Sequence, residues 1–315
     1  GAIDTNWDSP RHDGTGFGFK AYNFLRTTLR NPTFNGSASA VYAQRGTDFK
    51  LIGGTYTAPN SSNIGIQIEA NTGPIAGVLV NGFTARRTVA GSTSNHVGFR
   101  VLTDGVNAAS DVTLVNSTFD AFYEGVGIDN VANAAVSDVR IIGNRFTNIV
   151  AYGVLALLHS GEITGNTITT TTAGSPAIVA SMVGGAGAGG NVKISNNTTS
   201  GPTAIAHIQI GTGYGGGATQ WPNLTVSDNV GSGGGDFIDM NWSVNATDYI
   251  KILEFSRNKH INAAIGSNAF NLTLNATTTS VLHVHENSAI ATNGTQNAFQ
   301  YVSNYANIVV GSTMD

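Results

Sequence analysis

The chain has 315 residues, among them 40 glycines, 41% hydrophobic and only 11% charged residues, with a formal net charge of −4. A charged share well below the roughly 25% of ordinary soluble domains suits tight turns and β-structure better than helices, whose exposed faces carry Glu and Lys. The acidic balance gives nucleic acid and anionic membranes no electrostatic footprint, no apolar run reaches a membrane span, and the absence of cysteine excludes disulfides and thiol chemistry.

Residues 1–26 read as an N-terminal capping segment. From residue 27 one frame recurs: apolar, any, apolar, any, any, Asn, any, apolar. A weak copy at 27–34 is followed by 49–56 with Gly54 in the Asn slot, 76–83 with Asn81 and 112–119 with Ser117. Then come 139–146 with Asn144, 161–168 with Asn166, 192–199 with Asn197, 224–231 with Asn229, 253–260 with Asn258 and 282–289 with Asn287. Each copy alternates with period two, which is the signature of a strand. A second alternating strand follows each slot, usually opened by a small residue, as in 65–69, 98–102, 125–129, 153–157 and 177–181. The later ones, 208–210, 238–240 and 298–301, are shorter.

One such coil cannot bury its apolar face alone. Stacking coils about 4.8 Å apart pairs every strand and builds one dry core. Asn suits the turn because it tolerates the left-handed backbone region and its amide can bond to stacked copies of itself. The expected fold is therefore all-β, a single-stranded right-handed parallel β-helix of about ten coils with an asparagine-ladder turn. It spans 27–302, and 303–315 form a C-terminal strand or tail.

With these apolar-any-apolar-any-any-Asn ladders, the chain resembles the pectate-lyase-like β-helix superfamily, and within it the bacteriophage tailspike polysaccharide depolymerases. The resemblance implies that the Asn ladder lies between the second and third strands of each coil, and that the Gly-Ile-any-Ile strand is the first. Its outer face is then where polysaccharide binds. The resemblance also implies a glycosidase, an extracellular or virion-associated setting and a possible homotrimer, with no cofactor and no membrane insertion. The chain departs from its relatives in having no Asn-Thr-Asp, Gly-His-Gly, Asp-Pro-His or Arg-x-Pro-x-x-Arg segment. The Gly-Asp-Gly-x-x-Asp segment common at β-helix starts is also missing, as expected of a piece of a longer protein.

Alternation assigns two outward columns to the first strands. One runs Gln67, Arg100, Gly127, Leu155, Val179, Gln209, Asp239, Asn271 and Gln300. The other runs Glu69, Leu102, Asp129, Leu157, Ser181, Gly211, Asn241, Thr273 and Val302. Two clusters stand out. Glu69, Arg100, Asp104, Glu124, Asp129, Tyr152 and His159 fall on four consecutive coils. Asp236, Asp239, Asn241 and Trp242 fall together further along, with Gln209, His207 and Trp221 nearby.

Cutting a glycosidic bond needs one protonated carboxyl and one carboxylate. Asp129, Asp104, Glu124, Asp239 and Asp236 are the catalytic candidates. Glu69, Arg100, Tyr152, His159, His207, Gln209, Trp221, Asn241 and Trp242 are expected to hold sugar, the indoles by stacking on ring faces. Lyase chemistry through Tyr152, His159 and Arg100 competes with hydrolysis, and so does a non-catalytic adhesin or a purely structural fibre segment. His283 and His285 share a strand face but are read as solvated rather than as metal ligands. Leu102, Leu155 and Leu157 in outward slots imply a covering loop, a second subunit or a one-residue shift of the 153–157 strand.

Overall fold

The computed structural model describes residues 3–59, 64–129, 136–181, 189–202, 206–211, 220–241, 249–263, 268–274, 281–291, 297–303 and 310–311. In the repeating part, each strand pairs in parallel with the strand three elements further on. Val97–Thr103, Ala109–Val115 and Thr118–Asp120 lie on Glu124–Asp129, Val136–Ile142 and Arg145–Ile149 of the next coil. Three strands per coil, repeated, make a right-handed parallel β-helix. The Asn slot lies between the second and third strands of each coil.

Among the described residues, the third strands form an 11-stranded sheet, while the first and second strands join into one of 21 strands. The junction arises because Phe17–Arg30 and Ser39–Ile52 run through the first corner without a loop. Their chains bend at Asn23 and Arg45, with φ of 50° and 39°. Coils begin ahead of residue 27: Ile3–Asp8 already pairs in register with the second half of Phe17–Arg30.

The ladder occupies one slot per coil. Asn166 Oδ1 accepts from the backbone N–H and the Nδ2 of Asn144 (3.0 and 3.1 Å), and Asn197 Oδ1 does the same for Asn166 (3.0 and 3.0 Å). Each Nδ2 also donates to a carbonyl three residues before the previous slot, Asn166 to Ile141 at 2.8 Å and Asn197 to Ile163 at 2.8 Å. The pattern continues through Asn229, Asn258 and Asn287.

Two details of the turn differ from the sequence expectation. Left-handed backbone belongs to the residue before the slot, namely Gly143, Gly165, Asn196 and Asp228, with φ of 63°, 68°, 56° and 59°. The slot asparagine is retained for its amide instead. The copy at 76–83 is also displaced by two residues. Val78, not Ala76, pairs with Val112, so Phe83 fills the slot and Asn81 lies opposite Val115. A slip of two keeps every side chain on its own face, so alternation cannot detect it. The Phe83 N–H is met by Ser117 Oγ at 3.1 Å, which is where the ladder starts.

Ser117→Asn should therefore add a rung, its Nδ2 reaching the Val80 carbonyl by the same offset of three. The expected gain is about 1 kcal/mol in urea unfolding, and an unchanged or lowered midpoint would refute this account of the ladder.

The core is built by size exchange at the corner from third to first strand. A Cβ on Gly98 would lie 2.5 Å from the Phe119 ring, on Gly125 2.5 Å from Phe146, and on Gly153 2.3 Å from Ile168. The small residue that opens each first strand thus makes room for a large third-strand residue of the same coil. At Gly231 the exchange is reversed, since its Cβ would lie 2.4 Å from the Phe237 ring. The opening position therefore points inward even though the next residue does too. The chain bends there, and strict alternation fails.

Candidate functional site

The first outward column is continuous in register. Lys20, Tyr42, Gln67, Arg100, Gly127, Leu155, Val179, Gln209, Asp239 and Asn271 are successive partners. Leu157 pairs with Ser181 without a shift, so a one-residue slip of that strand does not occur. Leu155 and Val179 are only 9% and 2% exposed within the single chain, and Ser181 is buried. No second subunit is needed to cover them. The outward column is therefore covered within the chain at these two coils.

In the first cluster two of the carboxylates, Glu69 and Asp104, are already engaged. Glu69 accepts from the Tyr42 hydroxyl, from Gln67 Nε2 at 3.2 Å and from Asn71 Nδ2 at 3.2 Å. Asp104 is exposed and caps its own corner. It accepts from the N–H groups of Val106 (3.0 Å), Asn107 (2.7 Å) and Thr72 (3.3 Å) and from Asn107 Nδ2 (2.8 Å). These donors, led by Asn107, hold Asp104 well below the usual carboxylate range, so it is no proton donor near neutrality.

Glu124 is buried. Its Oε2 lies where a Cβ on Gly127 would come within 2.9 Å, so it reaches over the outward slot three residues on. Arg100, Tyr152 and His159 are half-buried at the same surface. The Asp129 backbone pairs with Leu102, and its side chain lies outside the described residues.

The second cluster keeps a pair of carboxylates, while Trp221 and His207 turn inward. Trp221 is 0% exposed in the hydrophobic core, so it offers no face to a sugar. His207 is 0% exposed as well. It occupies the strand-opening position, where the corner bend turns the imidazole inward, instead of the outward position that alternation from Gln209 assigns. There His207 Nε2 and His260 Nε2 share the Gly233 carbonyl at 2.7 and 3.2 Å, with Phe237 stacked on His260. Burial pushes the His207 pKa down to about 4 and lowers that of His260. Asn241 is described in backbone only, opposite Gly211, and Trp242 lies outside the described residues.

Asp239 and Asp236 are both half-buried at the surface. Residues three apart on a strand ordinarily face opposite sides. Asp236 is the coil-equivalent of Glu124, and Asp239 that of Gly127, through the stacked registers. The corner bend that carries Glu124 over Gly127 thus brings Asp236 and Asp239 to one side. Burial and then the Asp236 charge raise the pKa of Asp239, opposed in part by Asn271 Nδ2, which donates to Asp239 Oδ1 at 3.0 Å. Gln209 is its half-buried neighbour in the previous coil. Elsewhere, His285 Nε2 lies 2.9 Å from Glu254 Oε1 and His283 is exposed.

The sequence reading missed the aromatic start of this face. Gly18-Phe-Lys-Ala-Tyr22 has the same small-apolar-any-apolar frame as the later first strands, which was the signal available. No protein-family model, no curated protein and no solved structure matches the chain.

Proposed function

We propose that the outer face of the first-strand sheet binds polysaccharide and that the protein cleaves it as a glycoside hydrolase, as in the tailspike-type β-helices its coil pattern resembles. One observation carries the reading: Asp239 is half-buried beside a second carboxylate, with its proton favoured by both burial and charge. A carboxyl whose proton is favoured is suited to protonating a leaving glycosidic oxygen. Asp236 takes the complementary part, as the group that accepts a proton from water. The Asp236 charge acts on Asp239 across the corner bend, which is the pairing of two carboxyls that glycoside hydrolysis uses. Gln209 and Asn271 flank the acid with amides suited to sugar hydroxyls.

The test is incubation with bacterial capsular, lipopolysaccharide and plant polysaccharides, followed by measurement of new reducing ends. Asp239→Asn and Asp236→Asn should each abolish release while leaving the melting temperature unchanged. Activity should also fall as pH rises through the elevated pKa of Asp239, because only the protonated form can donate. Release by Asp239→Asn at the wild-type rate would remove Asp239 from the acid role, and unsaturated, ultraviolet-absorbing products would show a lyase instead.

A further inference from the structure

The rings that open the first-strand sheet form an exposed cluster. Phe17 and Tyr22 are 39% and 46% exposed, and Tyr42 is half-buried between them. Tyr42 meets both edge-on, with centroids 5.6 Å away in each case. Lys20 Nζ sits 3.7 Å over the Phe17 ring. Tyr22 and Tyr42 occupy outward slots, in line with Gln44 and Gln67 of the following coils, so their rings take no part in the inward core.

The cluster is also held in place. The Tyr42 hydroxyl donates to Glu69, and burial with that bond keeps the phenol protonated. Gln67 and Asn71 donate to the same carboxylate, so one buttressed acid orients a ring and two amides. Rings fixed on strands lose little entropy when a ligand settles on them.

We infer that Phe17, Tyr22 and Tyr42, with the amides of Gln44 and Gln67, form a second carbohydrate-binding platform that is separate from the acid pair. Its ligand class rests on the proposed function, but its existence does not. The platform lies about 34 Å from Asp239, seven strand steps of roughly 4.8 Å. Buried Leu155 and Val179 close the face between them. Size supports a saccharide over a protein. At roughly 150–250 Å² per aromatic side chain, these partial exposures offer on the order of 200–300 Å². A stable protein interface needs about 800 Å² on each partner, whereas one or two sugar rings are covered by the smaller area. The platform thus anchors a polymer at a distance from the place where it is cut.

The experiment is affinity electrophoresis through gels containing dextran, xylan, alginate, polygalacturonate or purified bacterial capsular and O-antigen chains. Wild type and Asp239→Asn should be retarded alike by at least one glycan. Phe17→Ala and Tyr22→Ala should each weaken that retardation about tenfold without altering the melting temperature, since both rings are exposed. Tyr42→Phe should weaken it less, keeping the ring but not the bond to Glu69. Retardation lost in Asp239→Asn and intact in Tyr22→Ala would overturn the platform while leaving the acid pair standing. Retardation lost in Tyr22→Ala without any release of reducing ends by wild type would support the platform and defeat the hydrolase. Absence of binding to every glycan would overturn it, as would a wild-type dimer in light scattering that Tyr22→Ala dissolves.

Discussion

Asn197→Ala should lower stability by about 3 kcal/mol or more, the largest effect expected of any single ladder substitution. Asn197 is fully buried and central. Its Oδ1 serves the backbone N–H and Nδ2 of Asn166, and its Nδ2 serves the Ile163 carbonyl and Asn229 Oδ1. Alanine leaves an N–H and a carbonyl of neighbouring coils unpaired in a dry interior, at about 1–3 kcal/mol each, and opens a cavity besides. In a solenoid each coil touches only its neighbours, so a weakened middle can also split the unfolding transition in two. The half-buried terminal rung gives the control. Asn287→Ala should cost about 1 kcal/mol, since water can reach the groups it releases. Urea midpoints for the two variants test this, and a loss at Asn197 no larger than at Asn287 would refute the account.

The second large effect concerns acid. His207 has a folded pKa of about 4, pushed down by burial, against an unfolded value near 6.5. Below pH 6.5 the unfolded chain binds a proton that the folded chain refuses, so the neutral imidazole's contribution is full above 6.5 and lost as pH falls. Linkage gives about 2 kcal/mol lost at pH 5 and about 3 kcal/mol once pH passes 4. His260, lowered in the same direction, adds to the loss. The Nδ1 atoms of both rings are buried without a hydrogen-bond partner among the described residues, so an added proton there finds no acceptor. Asp236, which favours the charged form of His260, is the acidic group opposing the trend. His207→Leu removes the titrating group from an apolar corner shared with Phe237. It should therefore flatten the stability difference between pH 7 and pH 5 by about 2 kcal/mol. A slope as steep as that of the wild type would place the acid sensitivity elsewhere.

These corner residues also mark how far the sequence was legible. Inward and outward assignment along the middle of each strand followed from a period of two, and the columns from Gln67 to Asn271 stack in that order. The same rule failed at His207 and Phe237, where the chain turns between sheets and the opening residue is swung into the core. Strict alternation sets Asp236 and Asp239 on opposite faces, whereas their closeness in sequence groups them, and Glu124 over Gly127 shows the bend that unites such pairs. Trp221 was expected to stack on sugar, and only the stacked second strands, which pair it with Ile250, show it inside. The displaced 76–83 copy could not be found by alternation at all.

By itself, the order of residues determined that this chain coils into a parallel β-helix with an amide ladder. Periodicity and turn chemistry are local, and ten repeats of a weak signal make a strong one. Tertiary structure alone decided which carboxylates share a field, which histidines are dry and where the outer face is closed. The dry histidines depend on contacts between distant positions, as His207 with Gly233, 26 residues on, and the paired aspartates on a corner bend that alternation does not show. No local pattern fixes how one coil's corner sits on the next.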